Sequence, residues 1–346
     1  MPYKTILPAD RPEDDAADRL FGLVAAVHRE QYEVLTRRGS SRAVLKASVY
    51  HLGEENYPTV GDIVRMDWQP AGESRITATM PRRTYFSRLD PSSFGHWEQA
   101  VAANFDHVFI LQSLNHDFNL ARAERYLTLA WQSGAQPVIV LTKADLVDDP
   151  TPQVSAAQGI AFGVPVLAVS VVTGQGMEEL AQFLSPGKSV VLLGSSGVGK
   201  SSLVNALMGE ETMAVGTIRE DDSRGRHTTT HRQLLFLPSG AAIIDTPGMR
   251  ELGMWDVSRG LGSAFADVEQ WLGHCRFADC THQTEPGCGV RTALERGDLS
   301  EERWLSYQKL RKEARFADDK DAYLKEKWKR NKEISVRSRQ IKNKKR

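Results

Sequence analysis

The chain has 346 residues, enough for two or three domains that each bury a core of their own. Hydrophobic residues make up 41% and charged residues 25%, which excludes collagen, a coiled-coil rod and wholesale disorder. No apolar run approaches the ~18 residues of a membrane span, and the opening MPYKTILPADRPEDD has acid and proline where a secretory leader would be apolar. A soluble, cytoplasmic, monomeric protein is expected. The 44 basic and 44 acidic side chains cancel, but unevenly: residues 325–346 hold 11 basic and 2 acidic groups, leaving 33 against 42 elsewhere. A basic tail on an acidic body suits a polyanionic partner, because each cation that neutralises a phosphate releases a counterion; the alternative is a solvated arm.

In chain order, residues 1–38 are read as an N-terminal extension, with a charged start and a short apolar-periodic stretch at Leu20, Phe21, Val24 and Val27. Residues 39–95 show short alternating runs (RAVLKASVY, TVGDIVRM, SRITATM) broken by Gly, Pro and Asn, the pattern of half-buried strands in an all-β, OB-type barrel. Arg82, Arg83, Tyr85, Phe86 and Arg88 would suit a nucleic-acid-binding face of that barrel, or be ordinary surface. Residues 96–255 alternate continuous apolar runs (HVFILQS, PVIVLT, PVLAVS, SVVLLG, AAIID) with a helical stretch through Leu120, Tyr126 and Leu129, which predicts an α/β domain with a parallel sheet covered on both faces. Residues 256–324 are irregular around three cysteines and then read as helix from about residue 298, with Asp298 as cap and Glu301 completing a capping box. Residues 325–346 form the basic tail.

The strongest motif is GSSGVGKSS, comprising Gly194, Ser195, Ser196, Gly197, Val198, Gly199, Lys200, Ser201 and Ser202. It follows an apolar strand and precedes a helical LVNALM, the context of a P-loop. The glycines let the backbone N–H groups turn toward phosphate, Lys200 supplies a cation, and Ser201 can ligate Mg²⁺. Downstream, AAIIDTPG places Asp245 at a strand end to hold Mg²⁺ and Gly248 to meet the γ-phosphate. Between them, GRHTTTHR offers Thr229, or Thr228, to close the Mg²⁺ shell. Upstream, TKAD (Thr142, Lys143, Ala144, Asp145) ends another strand, where the Asp145 carboxylate can accept from the ring N–H and amine of guanine. Thr142 stands where Asn is usual. Ser170 and Val171, in AVSVVTGQG, fit the loop that meets the guanine oxygen.

Base recognition precedes phosphate recognition along the chain, so the GTPase is circularly permuted. CRFADCTHQTEPGC sets Cys275, Cys280, His282 and Cys288 at spacings that fit a closed Cys₃His tetrahedron for structural Zn²⁺; His274 is an alternative to His282, and reduced thiols without metal are the other reading. The residue after Gly248 is Met249, which cannot orient a water, so unassisted hydrolysis should be slow. His227 could orient that water once a partner orders its segment, or be a surface histidine.

These motifs together with TVGDIV, MPRRTYFSR and AANFDHVFI resemble the RsgA family, the ribosome small-subunit-dependent GTPases, from about residue 40 to 320. The resemblance implies an N-terminal OB barrel, a central permuted GTPase and a C-terminal zinc domain, acting in late maturation of the small ribosomal subunit, with that subunit and its rRNA as partners. On this reading His227, Lys200 and Thr229 serve GTP hydrolysis, and the short link from Asp245 to the cysteines lets the zinc domain change its angle as GTP becomes GDP. The rivals are a P-loop ATPase, which Asp145 argues against, and an RNA-binding assembly factor with a vestigial nucleotide site, which the complete set Lys200, Ser201, Thr229 and Asp245 argues against.

Overall fold

A computed structural model describes residues 19–28, 31–50, 57–89, 98–115, 117–210, 232–245 and 257–315. Among these, five strands close a barrel: β1 (Arg19–His28), β2 (Gln31–Thr36), β3 (Gly39–Leu45), β4 (Ile63–Asp67) and β5 (Ser74–Thr79). β1 pairs antiparallel with both β2 and β4, β4 pairs with β5, and a parallel β3–β5 pairing completes the ring. Leu20, Val24, Tyr32, Val34, Val64, Met66 and Ile76 fill it. Residues 19–28 and 31–36, expected in an N-terminal extension, are therefore two barrel strands. β1 hides the alternation that would have marked it, since Leu20 and Val24 face the barrel core while Leu23 and Ala25 join the core of the next domain.

β6 (Tyr85–Leu89) and β7 (Glu98–Ala103) form a separate hairpin outside the barrel. Of the five residues read as a nucleic-acid face or ordinary surface, Arg82 and Phe86 are turned inward, while Arg83 and Tyr85 are exposed. Phe86 is buried and stacks on Phe105 at 4.9 Å, and Arg82 donates from Nε and Nη2 to the two oxygens of buried Asp62 at 2.8 and 2.7 Å. That pair pins the loop ahead of β4. In the same loop Gly61 has φ 89, and a Cβ there would stand 2.0 Å from the Ala103 carbonyl oxygen. Only glycine allows the barrel to approach β7 so closely.

The second domain is built on β8 (His107–Ser113), β9 (Gln136–Thr142), β10 (Val166–Ala168), β11 (Ser189–Leu193), β12 (Arg232–Phe236) and β13 (Ala242–Asp245) in the order β10-β9-β8-β11-β13-β12. All neighbours are parallel except β12 against β13. Alternate strand residues feed two cores. Phe109, Leu111, Val138, Val140, Val190 and Leu192 meet Leu180, Leu203 and Val204 on one face; Val108, Ile110, Ile139, Leu141 and Val191 meet Leu127 and Ala130 on the other. The helices are α1 (Leu120–Ser133), α2 (Thr151–Ile160), α3 (Met177–Ala181) and α4 (Lys200–Met208). β1 extends beyond the barrel to pair Ala26 with Gln233 and Val27 with Arg232, so eleven described strands make one continuous sheet.

The third region holds α5 (Ser258–Ala264), α6 (Ala266–Leu272), α7 (Gly289–Arg296) and a helix α8 over residues 301–315. Ser300, rather than Asp298, caps α8, its hydroxyl accepting from the Arg303 N–H at 3.2 Å. Asp298 lies two residues earlier, in the turn that ends α7, where its N–H bonds the Ala293 carbonyl at 2.9 Å. Leu261, Phe265, Val268, Trp304, Tyr307 and Leu310 share one core with Leu127 and Ala130 of α1. No helix among the described residues is long and apolar enough to cross a membrane. Residues 1–18 and the basic tail lie outside the described residues.

Candidate functional site

Buried β11 delivers Gly194 to the edge where the strands end, and α4 begins six residues later at Lys200. Between them Gly197 and Gly199 take φ 72 and 100, left-handed values that fold the loop back on itself. Lys200 Nζ donates to the carbonyl oxygens of Gly194 and Ser195 at 2.7 and 2.6 Å. A loop of this shape entering a helix N-terminus offers N–H groups and the positive helix end to phosphate. Ser201 and Ser202 stand in the first turn of α4, next to Lys200.

The TKAD residues are tied to that loop. Buried Thr142, the last residue of β9, donates its hydroxyl to the Val198 carbonyl at 2.6 Å. Lys143 adopts φ 59 and its Nζ donates to the Gly197 carbonyl at 2.8 Å. Thr142 therefore supplies a tether in place of the usual Asn. Asp145 sits in a 3₁₀ turn, Ala144–Leu146, with Oδ1 accepting from the Ser170 hydroxyl at 2.5 Å. Ser170 Oγ in turn accepts from the N–H groups of Val172 and Thr173, both at 3.2 Å. The loop expected to act through its backbone thus also fixes the rotation of the Asp145 carboxylate, and Val171 lies beside it, partly exposed.

Asp245 ends β13, whose neighbour β11 runs parallel to it with Val191 opposite Ile244, so its carboxylate emerges on the same edge as the phosphate loop. Together, Ser201 and Asp245 are a hydroxyl and a carboxylate of the kind that hold Mg²⁺. His227, Thr228, Thr229, Gly248 and Met249 lie outside the described residues.

The three cysteines and His282 converge, their ligand atoms all within 4.8 Å of one another. His282 Nδ1 is 3.4 Å from Cys275 Sγ and 3.5 Å from Cys288 Sγ, and those two sulfurs are 4.0 Å apart. A tetrahedron with Zn–S of about 2.3 Å and Zn–N of about 2.0 Å has edges of roughly 3.8 Å for S···S and roughly 3.5 Å for S···N, so the donor set fits that ion. His274 is not part of it: the ligand atoms that gather within 4.8 Å of one another are those of Cys275, Cys280, His282 and Cys288, and His274 Nδ1 lies 2.6 Å from the Gln270 carbonyl. The His282 ring packs edge-on to Trp304 at 5.7 Å, joining the cluster to α8.

Two supporting carboxylates escape a motif search. Glu285 accepts from the N–H groups of Thr281, Gln283 and Thr284 at 2.9, 3.0 and 3.0 Å and from the Thr281 hydroxyl, and these bonds, the hydroxyl's first, hold it down to about 2. An acid inside a cysteine loop is its only sequence signal. Asp117 accepts from the Ser195 hydroxyl of the phosphate loop at 2.5 Å; nothing in the local sequence marks it.

The family model described as RsgA GTPase matches residues 79–255. A second model, for ABC transporters, matches residues 178–336; a P-loop is common to both families, and Asp145 lies outside that stretch. The small ribosomal subunit biogenesis GTPase RsgA 1 of Listeria innocua is 48% identical over 87% of this chain and 85% of its own length. The Streptomyces avermitilis RsgA is 45% identical over 91% of this chain and 86% of its own. Among solved structures, YjeQ from Thermotoga maritima is 27% identical with a TM-score of 0.62, covering 84% of this chain and 97% of that one. YloQ, described as a circularly permuted GTPase, shares the fold at 23% identity and a TM-score of 0.60.

Proposed function

We propose, from the premise that this chain belongs to the RsgA GTPase family, that it hydrolyses GTP in late maturation of the small ribosomal subunit and turns over faster when docked there. The observation that carries this reading is the seam of Thr142 and Lys143 against the Val198 and Gly197 carbonyls at 2.6 and 2.8 Å. It holds the guanine-reading turn and the phosphate loop as one unit, which is what a guanine nucleotide with a polyphosphate requires.

In this reading Asp145 accepts from the guanine ring N–H and amine, Ser170 and Val171 border the base, and residues 194–202 cradle the phosphates. Mg²⁺ arriving with GTP would neutralise charge growing on the β- and γ-phosphates. Ser201 and Asp245 would hold it, with Thr229 completing the set, while Lys200 bridges the phosphates and Gly248 meets the γ-phosphate. Met249 leaves the attacking water without an oriented acceptor, and His227 takes that part in the complex with the subunit. The Cys₃His cluster holds Zn²⁺ with no open position, a structural role. The barrel, zinc region and basic tail contact rRNA, and the protein works in the cytoplasm as a monomer that releases GDP.

The test is GTP turnover with small subunits, large subunits or neither. Stimulation by small subunits alone is expected. Equal rates in all three would overturn the coupling to the subunit, and ATP turnover matching GTP would overturn the base assignment.

A further inference from the structure

The phosphate loop is held from a direction that the motifs do not predict. Ser195 Oγ donates to Asp117 Oδ2 at 2.5 Å, and Asp117 Oδ1 lies 2.9 Å from Arg122 Nη2. Arg122 is in the first turn of α1, whose cap Asn119 accepts from the Arg122 N–H at 2.9 Å. Gln112 Oε1, at the end of β8, accepts from the Asn119 N–H at 3.2 Å and from Arg122 Nη2 at 3.4 Å. Asp117 is thus held by Arg122 at the start of α1, and Arg122 is itself held by Gln112 at the end of β8.

A carboxylate beside a phosphate loop is costly unless it does something there. A serine hydroxyl left free in such a loop can turn and bond a neighbouring backbone group, competing for the N–H donors that phosphate needs. Donation to Asp117 removes that option. The Ser195 residue is then fixed at two points, its hydroxyl on Asp117 and its carbonyl on Lys200 Nζ at 2.6 Å. Arg122 offsets the charge that Asp117 would otherwise set against the polyphosphate.

We propose that Asp117 is a positioning residue for nucleotide binding, acting through Ser195 to fix the peptide against which Lys200 rests. The inference rests on the GTPase reading above. A charge-assisted hydrogen bond of this kind corresponds to about tenfold in affinity.

The experiment measures binding of a fluorescent GTP analogue, with KM for GTP, in the full-length protein and in Asp117→Ala, Asp117→Asn, Ser195→Ala and the Asp117→Ala/Ser195→Ala pair. Each alanine variant is expected to weaken binding about tenfold with a matching rise in KM, and the pair about tenfold again rather than a hundredfold, since both remove one interaction. Asp117→Asn, which keeps an acceptor oxygen, should recover part of the loss. Zinc content and melting temperature should stay at wild-type values in Ser195→Ala. Wild-type affinity in either alanine variant, or multiplied losses in the pair, would overturn the proposal; if Asp117→Ala fails to fold, Ser195→Ala and Asp117→Asn decide it. A wild-type protein that binds no guanine nucleotide would instead defeat the GTPase reading.

Discussion

Arg303 Nη1 of α8 stands 2.6 Å from Glu124 Oε1 of α1, with the two side chains only 7% and 5% exposed. The same guanidinium donates to both oxygens of Asp267 at 2.9 and 2.8 Å and to the Ala264 carbonyl at 2.7 Å, and it lies 4.0 Å over the Phe265 ring. The region that carries the Cys₃His cluster is thereby locked to the GTPase through a buried ion cluster inside a shared apolar core. A swing of that region on hydrolysis, expected from the short link after Asp245, would have to break this joint. Arg303→Ala leaves two carboxylates unpaired and should destabilise the fold by about 3–5 kcal/mol in urea unfolding. A loss below about 1 kcal/mol would mean that water reaches the site and the joint is loose.

Guanine selection by Asp145 predicts a swap of base preference. Asp145→Asn should lose GTP and gain xanthosine triphosphate, whose added carbonyl matches the amide donor. Because Ser170 holds the same carboxylate, Ser170→Ala should weaken GTP by about tenfold without changing base preference. Unchanged GTP binding in Asp145→Asn would remove the role.

For the metal centre, one Zn²⁺ per chain is expected by elemental analysis. Cys280→Ser should release it and loosen the third region while nucleotide binding persists. Glu285 touches no ligand atom but ties together the backbone that carries His282, so Glu285→Ala should cost ~10-fold or more in zinc affinity. Zinc retention equal to wild type in a chelator competition would reduce Glu285 to a surface acid.

His107 gives a pH dependence. Burial beside Phe183, whose ring it meets edge-on at 5.5 Å, holds the imidazole below its ordinary 6.5. The unfolded chain then binds more protons than the folded one near that value, so stability falls as pH drops below about 6.5. His107→Leu should flatten this part of the profile, read as the difference between variant and wild-type urea midpoints at pH 5.5 and 7.5. Parallel profiles would exclude His107 as the source.

What the sequence made legible is written at short range: a loop between strand and helix, a strand-end acid, and three cysteines and a histidine within fourteen residues whose ligand atoms converge in the structure. What was not legible depended on contacts distant in sequence. β1 is packed on both faces by different domains, so LFGLVAAVH loses the alternation of a strand and imitates helical spacing. Arg82 and Phe86 have the composition of a nucleic-acid face, yet Asp62 and Phe105 take them inside. Asp298 reads as the cap of the last helix, but the helix begins after Ser300, whose hydroxyl takes the Arg303 N–H. Thr142, a departure from the expected motif, proves to be a tether only once Val198 is seen beside it.

The pairing of Ala26 and Val27 with Gln233 and Arg232 has a consequence for any attempt to dissect the molecule. A polypeptide that started after the barrel would leave Arg232 and Gln233, at the start of β12, without the strand that pairs them, and so lengthen the open border of the sheet. Such borders recruit other chains. Gly61, pressed against Ala103 and Ile244, shows the same seam sealed a second time. The isolated GTPase segment should therefore self-associate, and the barrel is less an appendage than the closing edge of the catalytic sheet.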